Sequence, residues 1–205
     1  IDDIIIPYFL TSKRRKHGRQ KLPQRRTVID IGASYGWMAV TFAKYFDEVK
    51  CFEIREDVRY ALKKNTSRFS NIEVFDYGLS SIQDNVKVCR DANTGGSRVW
   101  IRRSTDVNDP GRYTEEQIPT KAEGHGCAVR TLDSFNFNNV DCIKLDIEEH
   151  EYYALLGAVE TIKKWKPVLV IEITYTRKRH ITYFKPRQRI FKLLRSLDYQ
   201  LVDVR

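Results

Sequence analysis

Long apolar runs are missing from this chain. No stretch approaches the roughly 18 residues that a membrane-spanning helix needs, although 41% of its 205 residues are hydrophobic. The one apolar run at the start, Ile4-Ile5-Ile6-Pro7-Tyr8-Phe9-Leu10, is short and follows Asp2 and Asp3. A secretory leader carries positive charge at that place, so none is expected. Cysteine is also scarce. Cys51, Cys89, Cys127 and Cys142 are widely spaced, with no Cys-x-x-Cys pair and no His/Cys cluster. That argues against a structural zinc site. It favours a reducing, cytoplasmic compartment, with Cys51 and Cys142 as small core hydrophobes. Internal repeats and low-complexity segments are absent as well.

Charge is abundant but uneven. Thirty-six basic residues against 27 acidic ones give a net charge of +9, which weakly favours an anionic partner. Lys13, Arg14, Arg15, Lys16, Arg19, Lys21, Arg25 and Arg26 crowd the first part of the chain. Arg177, Lys178, Arg179 and His180, followed by Lys185, Arg187 and Arg189, form a second cluster. Two readings stay open: solvated, exposed charge, or a docking surface for phosphate groups such as those of a nucleic acid. Residues 1–26 read as a basic N-terminal extension and 27–205 as a single domain.

From Thr27 onward, strand and helix patterns alternate. Strands are expected over 27–32, 49–54, 72–75, 140–146, 168–173 and 199–204. Helices are expected around Ala39–Phe46, 56–69, 152–162 and 187–197. Residues 80–128 interrupt the alternation with two short β-like runs, 86–89 and 98–101, and read as an inserted hairpin and loop. Near-continuous apolar strands separated by amphipathic helices predict an α/β fold: a doubly wound, mostly parallel sheet with helices on both faces. The run 168–173 looks the most buried of the strands. In such sheets ligands sit outside the carboxyl ends of the strands. Asp30, Glu53, Asp76, Asp146 and Glu172 all fall there.

The most informative stretch is Thr27-Val28-Ile29-Asp30-Ile31-Gly32-Ala33-Ser34-Tyr35-Gly36-Trp37, a buried strand running through a glycine turn into a helix. A dinucleotide turn reads G-x-G-x-x-G, and its third glycine lets helix pack on strand. Counting from Gly32, the third position is Trp37, which disfavours NAD. Gly32 and Gly36, four apart and with an acid two residues before the first, form the pattern of S-adenosylmethionine-binding turns. On this reading Asp30 helps position the methionine end of the cofactor, and the residues from Gly32 through Gly36 bring backbone close to it. Glu53, an acceptor-only carboxylate, takes the ribose hydroxyls, with Ile54 beside it. Asp76 contacts the adenine amine and Tyr77 flanks the ring. The product left behind is S-adenosylhomocysteine.

A second constellation is Ile143-Lys144-Leu145-Asp146-Ile147-Glu148-Glu149-His150-Glu151. Acids near a helix N-terminus suit its dipole. That does not account for Lys144, a charge inside an apolar strand, which needs partners. Lys144, Asp146, Glu148 and Glu172 are read as one polar network facing the pocket, with Asp146 or Glu148 orienting or deprotonating a substrate hydroxyl. A divalent metal on these carboxylates is compatible with the pattern, but no ligand set is assigned. His150 has two readings, a base beside this cluster or a surface histidine, of which the surface one is favoured.

These segments resemble the FkbM family of S-adenosylmethionine-dependent methyltransferases. The likeness runs through VIDIGASYGW (28–37), FEI (52–54), VRTLDSF (129–135), CIKLDIEEHEYYALLGAVETIKKWKP (142–167) and VLVIEI (168–173). It implies a class I methyltransferase (Rossmann-like) fold and O-methylation of a hydroxyl on a sugar or other small-molecule natural product. It also implies that the Gly32 turn, Glu53 and the Asp146–Glu148 segment line the cleft. The chain departs from the family pattern at Glu149, where Gly is usual, and at Ile54, where Pro is usual. The rival expectations are an RNA ribose or cap methyltransferase using the basic arm, an NAD-linked oxidoreductase and a non-catalytic binding module. Lys144, Asp146 and Glu172 imitate part of the Lys-Asp-Lys-Glu set of ribose methyltransferases, with ill-fitting spacing.

Overall fold

The computed structural model describes residues 24–90, 97–100, 126–148, 150–173 and 184–200, with backbone alone for 85–90, 97–100, 126 and 184–187. Most of the basic arm, residues 177–180 and positions 201–204 of the strand expected at 199–204 lie outside the described residues.

Strand β1 (Thr27–Ile31) is buried at every position. It leads through the glycine turn to helix α1 (Trp37–Phe42), strand β2 (Glu48–Phe52), helix α2 (Glu56–Thr66) and strand β3 (Ile72–Phe75). After an intervening segment come β8 (Val140–Leu145), the short helices α3 (Glu151–Leu156) and α4 (Val159–Trp165), β9 (Val168–Ile171) and α5 (Phe184–Ser196). The sheet order is β3-β2-β1-β8-β9, and every pairing is parallel. The chain winds outward from β1 to β3, then returns to the other side of β1 with β8. The strand order therefore reverses between β1 and β8, where a doubly wound sheet opens a crevice.

Both sheet faces are covered, as the apolar runs predicted. Val28, Val49, Cys51 and Cys142 meet Ala39, Phe42 and Leu62 from α1 and α2. Ile29, Ile31, Phe52, Ile143 and Leu145 meet Ala154, Leu155, Ile162 and Ile190 from α3, α4 and α5. This is the α/β, class I, Rossmann-like architecture.

Several elements differ from expectation. Strand β2 ends at Phe52, so Glu53 and Ile54 lie just beyond it, in the crevice. The helix expected over 152–162 is two helices, broken at Gly157 and Ala158. A Cβ on Gly157 would lie 2.0 Å from the Ser80 carbonyl oxygen, so the break admits a neighbouring chain segment. Strand β9 is half-buried throughout rather than the most buried, because it is outermost in the sheet order among the described residues. Tyr199 and Gln200 are not in a strand.

The intervening segment forms a second sheet from β4 (Gly78–Leu79), β5 (Asp84–Arg90), β6 (Ser97–Trp100) and β7 (Gly126–Arg130), ordered β4-β7-β5-β6. The β5–β6 pair is antiparallel, while β4 runs parallel to β7. Leu79 and Val129 are buried. The chain entering β1 is clamped as well. Arg26 donates from Nε to Asp141 Oδ2 at 3.0 Å and from its second guanidinium nitrogen to Oδ1 at 2.6 Å. This bidentate geometry is the strong form of the pair. Arg26 also lies 5.8 Å from the Trp165 ring centroid, so this member of the basic arm is engaged within the fold.

Candidate active site

Between the carboxyl ends of the parallel strands and the second sheet lies a cavity of about 270 Å³. Ile31 and Phe52 form its floor, and Phe52 stacks on Phe75 at 4.8 Å between centroids. Tyr77, Gly78, Leu79 and Val129 cover it from the second sheet and its approach. One wall is the glycine turn with Glu53, Ile54, Arg55 and Val58. The other is Asp146, Ile147, Glu148 and His150.

The turn is built by its glycines. Gly32 and Gly36 hold φ of +78° and +91°, where an L side chain is strained. A Cβ on Gly32 would lie 1.9 Å from the Asp146 carbonyl oxygen, and one on Gly36 would lie 2.7 Å from Leu62 Cδ1. The glycines thus serve first to seat the turn on β8 and α2, a reason that differs from the expected approach of a ligand. Glu53 locks the turn from the far side. Its Oε2 accepts from the Ser34 backbone N–H at 3.0 Å, and its Oε1 accepts from the Arg55 N–H at 2.9 Å. Burial raises its pKa, while those donors and the Arg55 and Arg59 cations pull it down.

An ionised carboxylate has about four lone-pair sites. With one bond on each oxygen, Glu53 keeps acceptor capacity in the cavity wall. That fits a vicinal diol such as a ribose, and a carboxylate-lined cavity suits a sulfonium cation. The residues present therefore fit S-adenosylmethionine.

The acid wall was less legible. Asp146 follows β8, and its N–H donates to Ile31 O at 3.1 Å. Glu148 is exposed and holds φ +54°, a left-handed conformation that a non-glycine residue adopts at some cost. Glu151 is 6% exposed and its Oε1 accepts from the Ile147 N–H at 3.1 Å. Glu172 hydrogen-bonds Asp146. That bond, burial, and the charges of Asp146, Glu148 and Glu151 push its pKa up to about 7. Among the described residues no group of three or more His, Cys, Asp and Glu is arranged to hold a metal ion, and no helix is long and apolar enough to cross a membrane.

Of the residues expected in the site, Gly32, Ser34, Glu53, Ile54, Tyr77, Asp146 and Glu148 line the cavity. Ala33, Tyr35, Gly36 and Asp76 do not; Ala33 and Gly36 are buried beneath the turn, while Tyr35 and Asp76 are exposed. Asp30, expected at the methionine end of the cofactor, is wholly buried in β1 and does not reach the cavity. Lys144 and Glu172 stand behind Asp146 rather than in the wall. Tyr77 is held by Arg130, whose guanidinium lies 4.1 Å from its ring centroid.

His150, expected at the surface, is 7% exposed and lines the cavity. Its Nε2 lies 3.1 Å from Ser80 Oγ, its ring stacks on Tyr153, and burial lowers its pKa to about 4. It is a neutral imidazole at neutral pH. No local signal in the sequence announced this, because the covering group comes from the segment beside the second sheet.

Among curated proteins, none matches this chain. Among solved structures, a methyltransferase FkbM from Methylobacillus flagellatus KT superposes with a TM-score of 0.50 at 20% identity. The match covers 82% of this chain and 36% of that one, so this chain spans about a third of that protein's length. A protein designated a methyltransferase from Streptococcus mutans, solved with S-adenosylhomocysteine, gives a TM-score of 0.46 at 10% identity over 87% of this chain and 81% of its own. At such identities the first likeness speaks to the fold, and the second carries no further argument. The family model described as the methyltransferase FkbM domain matches residues 30–201, which takes in both walls of the cavity, and the chain accordingly belongs to the FkbM methyltransferase family.

Proposed function

We propose that this chain is an S-adenosylmethionine-dependent O-methyltransferase acting on a hydroxyl of a sugar or other polyhydroxy small molecule. The observation that carries the reading is the juxtaposition of two walls across one cavity: a glycine turn locked by Glu53, and Asp146 with Glu148 facing it. When bound, the cofactor supplies an already activated methyl group. The protein's part is therefore mostly positioning and exclusion of water. Glu53 accepts the ribose hydroxyls, and Tyr77 packs beside the base. Asp146 would accept the hydrogen bond of the acceptor hydroxyl and take its proton as the methyl group leaves the sulfonium sulfur for the hydroxyl oxygen. Glu172, its own pKa pushed up to about 7, bonds Asp146 from behind.

An RNA ribose or cap substrate bound through the basic arm draws little support from the described residues. Arg26 is engaged with Asp141, Arg189 lies 5.6 Å from the Tyr152 ring centroid, and Glu53, Asp146 and Glu148 put carboxylates in the cavity lining. Calorimetry with S-adenosylhomocysteine tests the cofactor assignment. Binding is expected, and no binding together with binding of NAD would overturn it. Pools of sugars, polyketides and capped RNA offered with labelled methyl donor then discriminate the acceptor class.

A further inference from the structure

Lys144 does not line the cavity, yet it touches both of its walls. The strand register sets Asp30 beside Lys144 across β1 and β8. An ammonium has three donors and no acceptor. Its Nζ donates to the Gly32 carbonyl at 2.9 Å, and lies 3.2 Å from Asp30 Oδ1 and 3.5 Å from Asp146 Oδ2. One donor is thus spent on a backbone carbonyl, and two carboxylate oxygens lie within ion-pair distance. Burial opposes the charge, but the Asp30 and Asp146 carboxylates outweigh it, and the lysine pKa is raised. Neither Asp30 oxygen has an aligned hydrogen-bond donor, so this ion pair is its electrostatic support.

Neutralising Asp30 would by itself require neither the Gly32 carbonyl nor Asp146. Those two contacts join the glycine turn to the acid wall on the side-chain side. The backbone joins them a second time. Asp146 donates to Ile31 O, and the missing side chain of Gly32 lets the Asp146 carbonyl lie against the turn. We infer that Lys144 is a positioning residue that binds the glycine turn and Asp146 into one unit, so that the turn holding the cofactor also sets the placement of the acid. The identity of the ligand in this inference rests on the methyltransferase reading; the mechanical tie does not.

The test compares the wild-type chain with the pair Asp30→Asn plus Lys144→Met, which removes both buried charges together and leaves no unpaired buried carboxylate. Calorimetry with S-adenosylhomocysteine and amide hydrogen exchange are the readouts. The expected result is about tenfold weaker binding, faster exchange at both 31–36 and 145–148, and a melting temperature near that of the wild type. Either readout at its wild-type value overturns the inference and leaves Lys144 as the neutraliser of Asp30. Should that pair fail to fold, Asp30→Asn plus Lys144→Gln takes its place and the same outcomes decide. If the wild type binds no S-adenosylhomocysteine, the methyltransferase reading fails, and exchange at the two segments still decides the tie.

Discussion

The two walls of the cavity are built by opposite strategies. The turn wall is made of backbone: two glycines at positive φ, with amides of Ser34 and Arg55 held by one carboxylate. Its chemistry is local, and each part lies within one β-α-β stretch. The acid wall is made of side chains whose character depends on distant neighbours. Behind that wall, Glu172 becomes a weak acid because of its bond to Asp146, its burial and the charges of Asp146, Glu148 and Glu151. His150 becomes a neutral base because burial, with Ser80 against its ring, strips its solvent. In the proposed function the backbone-built wall takes the constant ligand, the cofactor, and the side-chain wall meets the acceptor.

The contrast breaks most severely at the point where the walls touch. Gly32→Ala places a Cβ 1.9 Å from the Asp146 carbonyl oxygen and strains φ, so a loss of about 3 kcal/mol of stability is expected. Urea denaturation checks this, and stability within 0.5 kcal/mol of wild type would mean the turn is not seated on β8 as described. Glu53→Ala acts on the turn wall alone. It strands the Ser34 and Arg55 amides and removes the diol acceptor, so S-adenosylhomocysteine binding should weaken by roughly 1–3 kcal/mol. Unchanged affinity in calorimetry would remove Glu53 from the site.

The smallest effect sharpens the acid wall. In the folded chain Glu172 holds its proton to about pH 7, against an ordinary value of 4.5. Its contribution to stability is present below about pH 4.5 and is lost as pH rises toward 7. Thermal melts at pH 5 and pH 8 should therefore show a smaller loss of stability with rising pH in Glu172→Gln than in the wild type. His150 acts in the other direction. Its pKa falls from 6.5 to about 4, so its contribution is full above pH 6.5 and declines as pH falls toward 4. An identical pH slope in wild type and Glu172→Gln would show that Glu172 is not coupled to Asp146.

Much of this was legible in the chain because covalent spacing sets it. Asp30, Gly32, Gly36 and Glu53 lie within a single β-α-β stretch, and the alternation of apolar strands with amphipathic helices requires a covered parallel sheet. Lys144 was legible as an anomaly, a charge in an apolar strand. Its partners were not, because Gly32 and Asp30 reach it only through the β1–β8 register. The burial of Asp30 was hidden for a related reason: it stands two residues before Gly32 in sequence, but the β1–β8 register sets it beside Lys144, outside the cavity lining. The burial of His150 depends on Ser80 and on Gly157 letting that segment pass.

By itself the sequence determined the sheet, the turn and the family, because local spacing and hydrophobic period survive without tertiary information. Only the tertiary structure decided which charges are buried, which carboxyl keeps its proton and which lysine joins the two walls. Desolvation and ion pairing fall off over a few ångströms, and those distances are set by strands and segments far apart in the chain.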